Sequence, residues 1–263
     1  MLVVIKGAGD LASGIALRLH HARFDVVMTD LPVPLAVRRT VAFSEAVRLG
    51  STYVEEIKAE RAESVEEVRD CLERGVIPVM PDPEAKIVEI LRPEVVVDAV
   101  MAKKNTGTTI DDAAVVIGVG PGFTAGKDCH AVIETKRGHT LGRVITEGSA
   151  IPNTGVPGSV GGQTINRLIK APCDGIFHPE KEIGDLVKEG ERVGNVDGEP
   201  VYARTDGRIR GLLQEGVPVT KGLKAGDVDP RGSSADHTTV SEKSLAIGGG
   251  VLEAVLSYAG DRL

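Results

Sequence analysis

The stretch Leu2 to His21, LVVIKGAGDLASGIALRLHH, decides the first reading of this chain. Leu2 to Ile5 is a short apolar run and predicts a strand. Leu11, Ile15 and Leu19 recur at helical spacing, so Leu11 to His20 predicts a helix. Between them lies KGAGDLASG, Lys6 to Gly14, a glycine-rich strand-to-helix turn. Gly7 and Gly9 permit a tight turn and close approach of an anion to backbone N–H groups. A helix N-terminus beside that turn favours negative charge. Ala12 stands where the dinucleotide fingerprint takes Gly or Ala. DVVMT, Asp25 to Thr29, predicts a second strand, and Asp30 follows it about twenty residues after the turn, where an acid can meet ribose hydroxyls. The β-α-β order implies a parallel pair. Asp10, directly after Gly9, fits a pyrophosphate poorly unless it turns away or caps the helix. A nucleotide turn and an empty or altered turn therefore both stand.

Outward from this unit, Pro32 and Pro34 bound a short helical segment through Arg39. Alternation around Gly50 suggests an inserted antiparallel hairpin. Ser64 and Glu67 form a capping-box pair for a helix to Glu73, stopping near Gly75. Strands are expected at 76–80, 95–100, 115–119, 131–135 and 142–146, with a helix at 84–91. Residues 149–163, SAIPNTGVPGSVGGQ, form a Gly-, Pro- and Ser-rich connector. Beyond it, short strands alternate with glycine turns. Ala171 to Val196 and Ala203 to Val228 form a quasi-repeat, each beginning Ala-x-x-Asp-Gly.

That repeat resembles the barrel-sandwich hybrid of biotinyl and lipoyl carriers. The turn between its halves, NVDGEPV, holds no lysine, so covalent biotin or lipoate is not expected. The expected fold class is α/β: a Rossmann-like parallel or mixed sheet domain at 1–165 with an inserted hairpin, then an all-β barrel-sandwich hybrid domain at 166–232. A C-terminal segment, 233–263, is expected to pack back on the α/β domain.

Composition excludes several functions. The net charge is −7 and aromatics are 3% with no Trp, which argues against a nucleic-acid partner or a base-stacking surface. No run approaches the ~20 apolar residues of a membrane span. MLVVIKGAGD has no basic segment before its apolar run, so a signal peptide is not expected. Three cysteines without a CxxC pair argue against a disulfide scaffold or a four-cysteine zinc site. The cytoplasm is the expected compartment.

Open α/β sheets bind ligands outside the carboxyl ends of their strands. Asp98, Lys103, Lys104 and Asn105 are therefore candidates for ligand contact. GVGPGFTAGKD, Gly118 to Asp128, contributes Gly120, Gly122 and Lys127, yet lacks the Gly-Lys-Ser/Thr order of an ATP-binding loop. Ser13 has no identifiable base. The catalytic candidates are Lys103, Lys104 and His130. No metal site is expected.

KGAGDLASGIALRL, RRTVAFSEAV, VVDAVMAKKNTGT, GVGPGFTAGKDCHAVIET and the segment from DGIF to GDVDPRG together resemble the YqeB-like family of the selenium-dependent molybdenum hydroxylase system. The Rossmann-like part also resembles the xanthine dehydrogenase accessory proteins. One departure is VEEI, Val54 to Ile57, where the family tends to have Val-Glu-Gly. The resemblance implies an accessory or maturation protein for molybdenum hydroxylases that binds a nucleotide or a nucleotide-bearing molybdenum cofactor, such as molybdopterin cytosine dinucleotide. Its implied site positions are Gly7, Gly9, Asp10, Ser13, Asp30, Asp98, Lys103, Asn105, Gly120, Gly122 and Lys127. The other readings are an NAD-dependent oxidoreductase and a non-catalytic binding module with a vestigial turn; whether the chain is an enzyme stays open. The expected partners are a molybdenum hydroxylase client, a small-molecule nucleotide and a second copy of the chain.

Overall fold

The computed structural model describes residues 1–155, 158, 160 and 162–259. Val156, Pro157, Ser159 and Gly161 of the expected connector, and the last four residues of the C-terminal segment, lie outside them. The chain divides into two compact units. The first comprises Met1–Pro34, Ala42–Asn153 and Val240–Leu263; the second comprises Leu35–Val41 and Thr154–Thr239.

The first unit starts with β1 (Leu2–Lys6), α1 (Asp10–His21) and β2 (Asp25–Thr29). Next come α2 (Glu45–Leu49), the hairpin β3 (Ser51–Val54) and β4 (Ile57–Arg61), and α3 (Val65–Glu73). β5 (Ile77–Met80), α4 (Ile87–Leu91), β6 (Val95–Asp98), β7 (Val115–Val119), β8 (Ala131–Ile133) and β9 (Val144–Ile145) follow. The nine strands form one sheet in the order β3-β4-β5-β2-β1-β6-β7-β8-β9. β4 through β8 run parallel, while β3 and β9 turn antiparallel at the two edges. The central strands are Val- and Ile-rich and buried on both faces, as in a sheet covered from both sides.

Ser64 caps α3, its hydroxyl accepting from the Glu67 N–H at 3.2 Å. The Glu67 carboxylate accepts from the Glu63 N–H, one residue before the cap, so the box closes on Glu63. The expected helix between Pro34 and Arg39 is replaced by irregular chain and a 3₁₀ turn at Arg39–Val41. Gly50 ends α2 instead of turning the hairpin; that turn is Glu55 and Glu56, with Glu55 at φ +53°.

The second unit holds β10 (Leu168–Lys170), β11 (Gly175–Pro179), β12 (Leu186–Val187), β13 (Arg192–Val196) and β14 (Glu199–Tyr202). β15 (Gly207–Leu212), β16 (Val217–Val219) and β17 (Lys224–Asp229) complete it. They form two four-stranded antiparallel sheets, β10-β17-β15-β12 and β14-β13-β11-β16. Each half of the quasi-repeat contributes strands to both sheets. Ile169, Phe177, Val193, Ile209, Leu212 and Val228 fill the shared core.

This arrangement corrects the expected fold class. A doubly wound Rossmann-like layer covers its parallel crossovers with helices. Residues 99–114 and 120–130, which join β6 to β7 and β7 to β8, contain no α-helix, and both sheet edges are antiparallel. The small unit is two separate antiparallel sheets with register shifts at β10–β17, β13–β14 and β15–β17. The fold is a large mixed sheet plus antiparallel sheets, in place of a Rossmann-like domain joined to a biotinyl- or lipoyl-like barrel.

The C-terminal helix α5 (Glu242–Ala259) packs along α1 inside the first unit. It covers a side of α1 that an isolated amphipathic helix would leave wet. Ala12, Ser13, Gly14, Ile15, Ala16, Leu17 and Leu19 are consequently all buried. The approach depends on small residues: a Cβ on Gly248 would lie 2.6 Å from the Gly14 carbonyl oxygen.

Candidate functional site

The glycine turn lies at the carboxyl ends of β1, β2 and β6. Gly7 has φ +95°, and a Cβ there would come 3.0 Å from the Ala99 carbonyl oxygen. Glycine is thus required both by the left-handed backbone and by the chain leaving β6. Its N–H donates to the Thr29 carbonyl. Gly9, at the head of α1, has ordinary φ and open space where a Cβ would stand.

Asp30 is where the sequence places it, but its carboxylate is turned inward. Oδ2 accepts from the Ala8 N–H at 3.0 Å and Oδ1 from the Leu31 N–H at 2.7 Å. Burial raises its pKa above the ordinary carboxylate value, against the pull of the Leu31 and Ala8 hydrogen bonds. One N–H that a phosphate would need is therefore taken by the acid that a ribose would need. Ser13 is also committed: its hydroxyl donates to the Ala8 carbonyl and accepts from the Phe43 N–H.

Asp10 has a charge partner that sequence spacing does not show. Lys243, on α5, is held below its ordinary pKa by burial and by Arg137, with Asp10, Glu134 and Glu242 opposing. Glu134 is buried and accepts from the Thr135, Lys136 and Ile151 N–H groups. Lys243 lies more than two hundred residues from Asp10, in a polar stretch with no motif.

A second network joins the candidates after β6. Thr108 donates to Asp98 Oδ2 at 2.6 Å, and Lys6 Nζ reaches Thr108 at 3.0 Å and Asp112 at 2.7 Å. Asn105 accepts from the Gly107 and Thr108 N–H groups and donates to the Thr108 carbonyl. Asp98 and Asn105 therefore shape the loop that carries them. A Cβ on Gly120 would meet Thr135 Oγ1 at 2.9 Å, and one on Gly122 the Lys104 backbone at 2.8 Å. Those glycines answer to loop packing. Lys103, Lys104 and Lys127 are exposed.

The catalytic candidates do not converge. Lys103 and Lys104 follow the carboxyl end of β6, whereas His130 precedes β8, at the amino end of the parallel strands. His130 Nδ1 accepts from the Val116 N–H at 3.0 Å, and its ring meets Tyr258 edge-on at 5.9 Å. Burial pushes the adjacent Cys129 thiol up to about 11. Among the described residues, no group of three or more His, Cys, Asp or Glu could hold a metal ion. A cavity of about 330 Å³ opens at the amino ends of β2 and β5, lined by His20, Arg23, Phe24, Asp25, Leu72 and Val76, away from the glycine turn.

The chain is 53% identical over 255 residues to the uncharacterized protein YqeB of Escherichia coli strain K12. That likeness supports the YqeB-like family. The match covers 97% of this chain and 47% of YqeB, so the chain spans about half the length of this relative. No family model matches.

Two solved structures extend over 86% of this chain. One is an aspartoacylase family protein from Mesorhizobium loti, 14% identical, covered over 84%, with a TM-score of 0.29. The other is the apo ectoine utilization protein EutE (DoeB) from Ruegeria pomeroyi, 13% identical, covered over 85%, with a TM-score of 0.27. Within this chain the Asp30 carboxylate already holds the Ala8 N–H of the turn, which corrects the expected Rossmann nucleotide-binding reading. The activities of these neighbours belong to those proteins alone. No helix among the described residues is long and apolar enough to cross a membrane.

Proposed function

We propose that this chain is a non-catalytic docking module of a YqeB-like protein, with a vestigial glycine turn. The observation that carries this reading is the hydrogen bond from the Ala8 N–H to the Asp30 carboxylate. A phosphate would have to displace a half-buried carboxylate from a backbone donor, leaving both to find new partners. The commitment of Ser13, Asp98 and Asn105 to backbone groups supports the same reading. The YqeB-like resemblance makes a molybdenum hydroxylase in the cytoplasm the client to test.

The purified chain is titrated with NAD, NADP, ATP and CTP and checked by mass spectrometry for a retained small molecule. The expected result is no binding at the turn. Micromolar binding that Gly9→Asp abolishes would overturn the reading, because Gly9 tolerates a Cβ and that variant adds only charge at the turn. The tagged chain is then used to capture partners from its native cells. Enrichment of a molybdenum hydroxylase is expected, and its absence would sink the client assignment.

A further inference from the structure

We propose that the smaller unit binds a phosphate group at Arg210, on the sheet face shared by β15 and β17. Arg210 lies at a register shift, between Ile209 paired with Val228 and Gly211 paired with Asp227. A bulge of this kind re-aims the extra side chain and recurs at binding sites. Here it sends a guanidinium into a nearly closed setting: the Arg210 side chain is 12% exposed.

The protein supplies little to offset that charge. Asp229 gives its oxygens to Arg231, whose Nε and Nη2 donate at 2.9 and 2.6 Å. Arg210 Nη1 comes no nearer than 3.7 Å to Asp229. Asp227 Oδ2 is shared by Arg167 at 3.2 Å and Lys224 at 3.5 Å. The buried Nε atoms of Arg210 and Arg167 have no hydrogen-bond partner among the described residues, and neither does Asp227 Oδ1. Burial lowers the Arg210 pKa, and Arg38 adds repulsion that Asp227 and Asp229 oppose.

Arginine stays protonated under physiological conditions, so proton loss does not relieve this cost. Four cations, Arg167, Arg210, Arg231 and Lys224, share the two carboxylates of Asp227 and Asp229. A phosphate group carries about −1.5 to −2 at pH 7 and would offset cationic charge at Arg210. Its oxygens suit the guanidinium donors. When singly protonated, it can also donate to Asp227 Oδ1. Lys224 and Arg231, 40% and 48% exposed, form the open side through which it would enter.

The test is calorimetric titration of the whole chain with inorganic phosphate and with glycerol phosphate at constant ionic strength, alongside thermal unfolding. Wild type is expected to bind at least one of them and to gain thermal stability with it. Arg210→Met is expected to weaken binding by about tenfold or more while folding at least as stably without ligand, since it removes a poorly offset buried charge. Lys224→Ala, on the rim, is expected to weaken binding by several-fold without altering unliganded stability, and it carries the test if Arg210→Met fails to fold. Gly9→Asp is expected to bind like wild type, separating this site from the glycine turn. Tighter binding of glycerol phosphate would assign an ester, and equal or tighter binding of inorganic phosphate would assign the free ion. Failure of wild type to bind either at millimolar concentration, or unchanged binding in both the Arg210 and Lys224 variants, would overturn the proposal.

Discussion

Ser244 of α5 presses against Gly14 of α1 so closely that a Cβ on Gly14 would lie 2.5 Å from the serine Cβ and 2.9 Å from its carbonyl carbon. No flexible side-chain end is available to move aside. The C-terminal helix therefore reads a single missing methyl group near the start of the chain.

Gly14→Ala decides between two effects of opposite sign. Alanine in a helix interior gains about 1 kcal/mol over glycine. Overpacking against backbone costs about 1–3 kcal/mol, occasionally more. The contacts at 2.5 and 2.9 Å put this site at the costly end, so net destabilisation is expected. Urea unfolding checks it; a midpoint equal to or above wild type would refute the tight α1–α5 contact.

Asp30→Ala removes the acceptor of both the Ala8 and Leu31 N–H groups. A loss of about 1 kcal/mol is expected, carried by the half-buried Ala8 N–H, since the Leu31 N–H is open to water. The pH dependence has a definite sign. The folded pKa is raised above 3.8, so the folded state holds its proton more tightly. The resulting stability is fully present below the unfolded pKa and is lost as pH rises through the folded one. Asp30→Asn should remove that contribution in a pH series of unfolding curves; an unchanged slope above pH 3.8 would contradict the desolvation of this carboxyl.

Glu60 predicts the reverse behaviour. Arg74, and then Lys58, hold its carboxyl down at about 2. This contribution is present above the ordinary value of 4.5 and is lost as pH falls toward 2. Glu60→Gln should flatten that acid limb. The effect should also shrink in high salt, because Arg74 and Lys58 are partly exposed.

The three thiols should react in a fixed order. Cys129 is wholly buried with its pKa pushed up to about 11, leaving about one thiolate in a thousand at pH 8. Burial also raises Cys71. Cys173 is half-buried and should be alkylated first in native protein. Peptide mass spectrometry after a short iodoacetamide pulse reads the order, and early labelling of Cys129 would refute its buried role.

Local sequence patterns located β1, α1 and β2 because apolar spacing and the glycine turn act within a few residues. Ser64 was legible as a cap for the same reason. The short helix α2 was not legible: its alternating residues resemble a strand, and Arg61 holds its Val47 carbonyl from across the hairpin. The departure from the family's Val-Glu-Gly pattern falls at Glu56, next to Glu55. Only the structure pairs the Glu55 carboxylate with the Val240 N–H while the Glu55 backbone takes a left-handed turn.

The candidate site divides along the same line. Sequence by itself determined that Gly7, Asp30 and Asp98 stand at or just after the ends of apolar runs that read as strands; that β2, β1 and β6 lie side by side was decided by strand pairing across about ninety residues. Tertiary structure decided what their donors and acceptors meet. It turned Asp30 onto Ala8, tied Asp98 to Thr108 and set Lys243 in the field of Asp10. It also drew Arg210, Asp227 and Asp229 together through a strand pairing and its bulge. Hydrogen bonds and buried charges depend on distances between residues far apart in the chain, and periodicity within one segment carries no record of them.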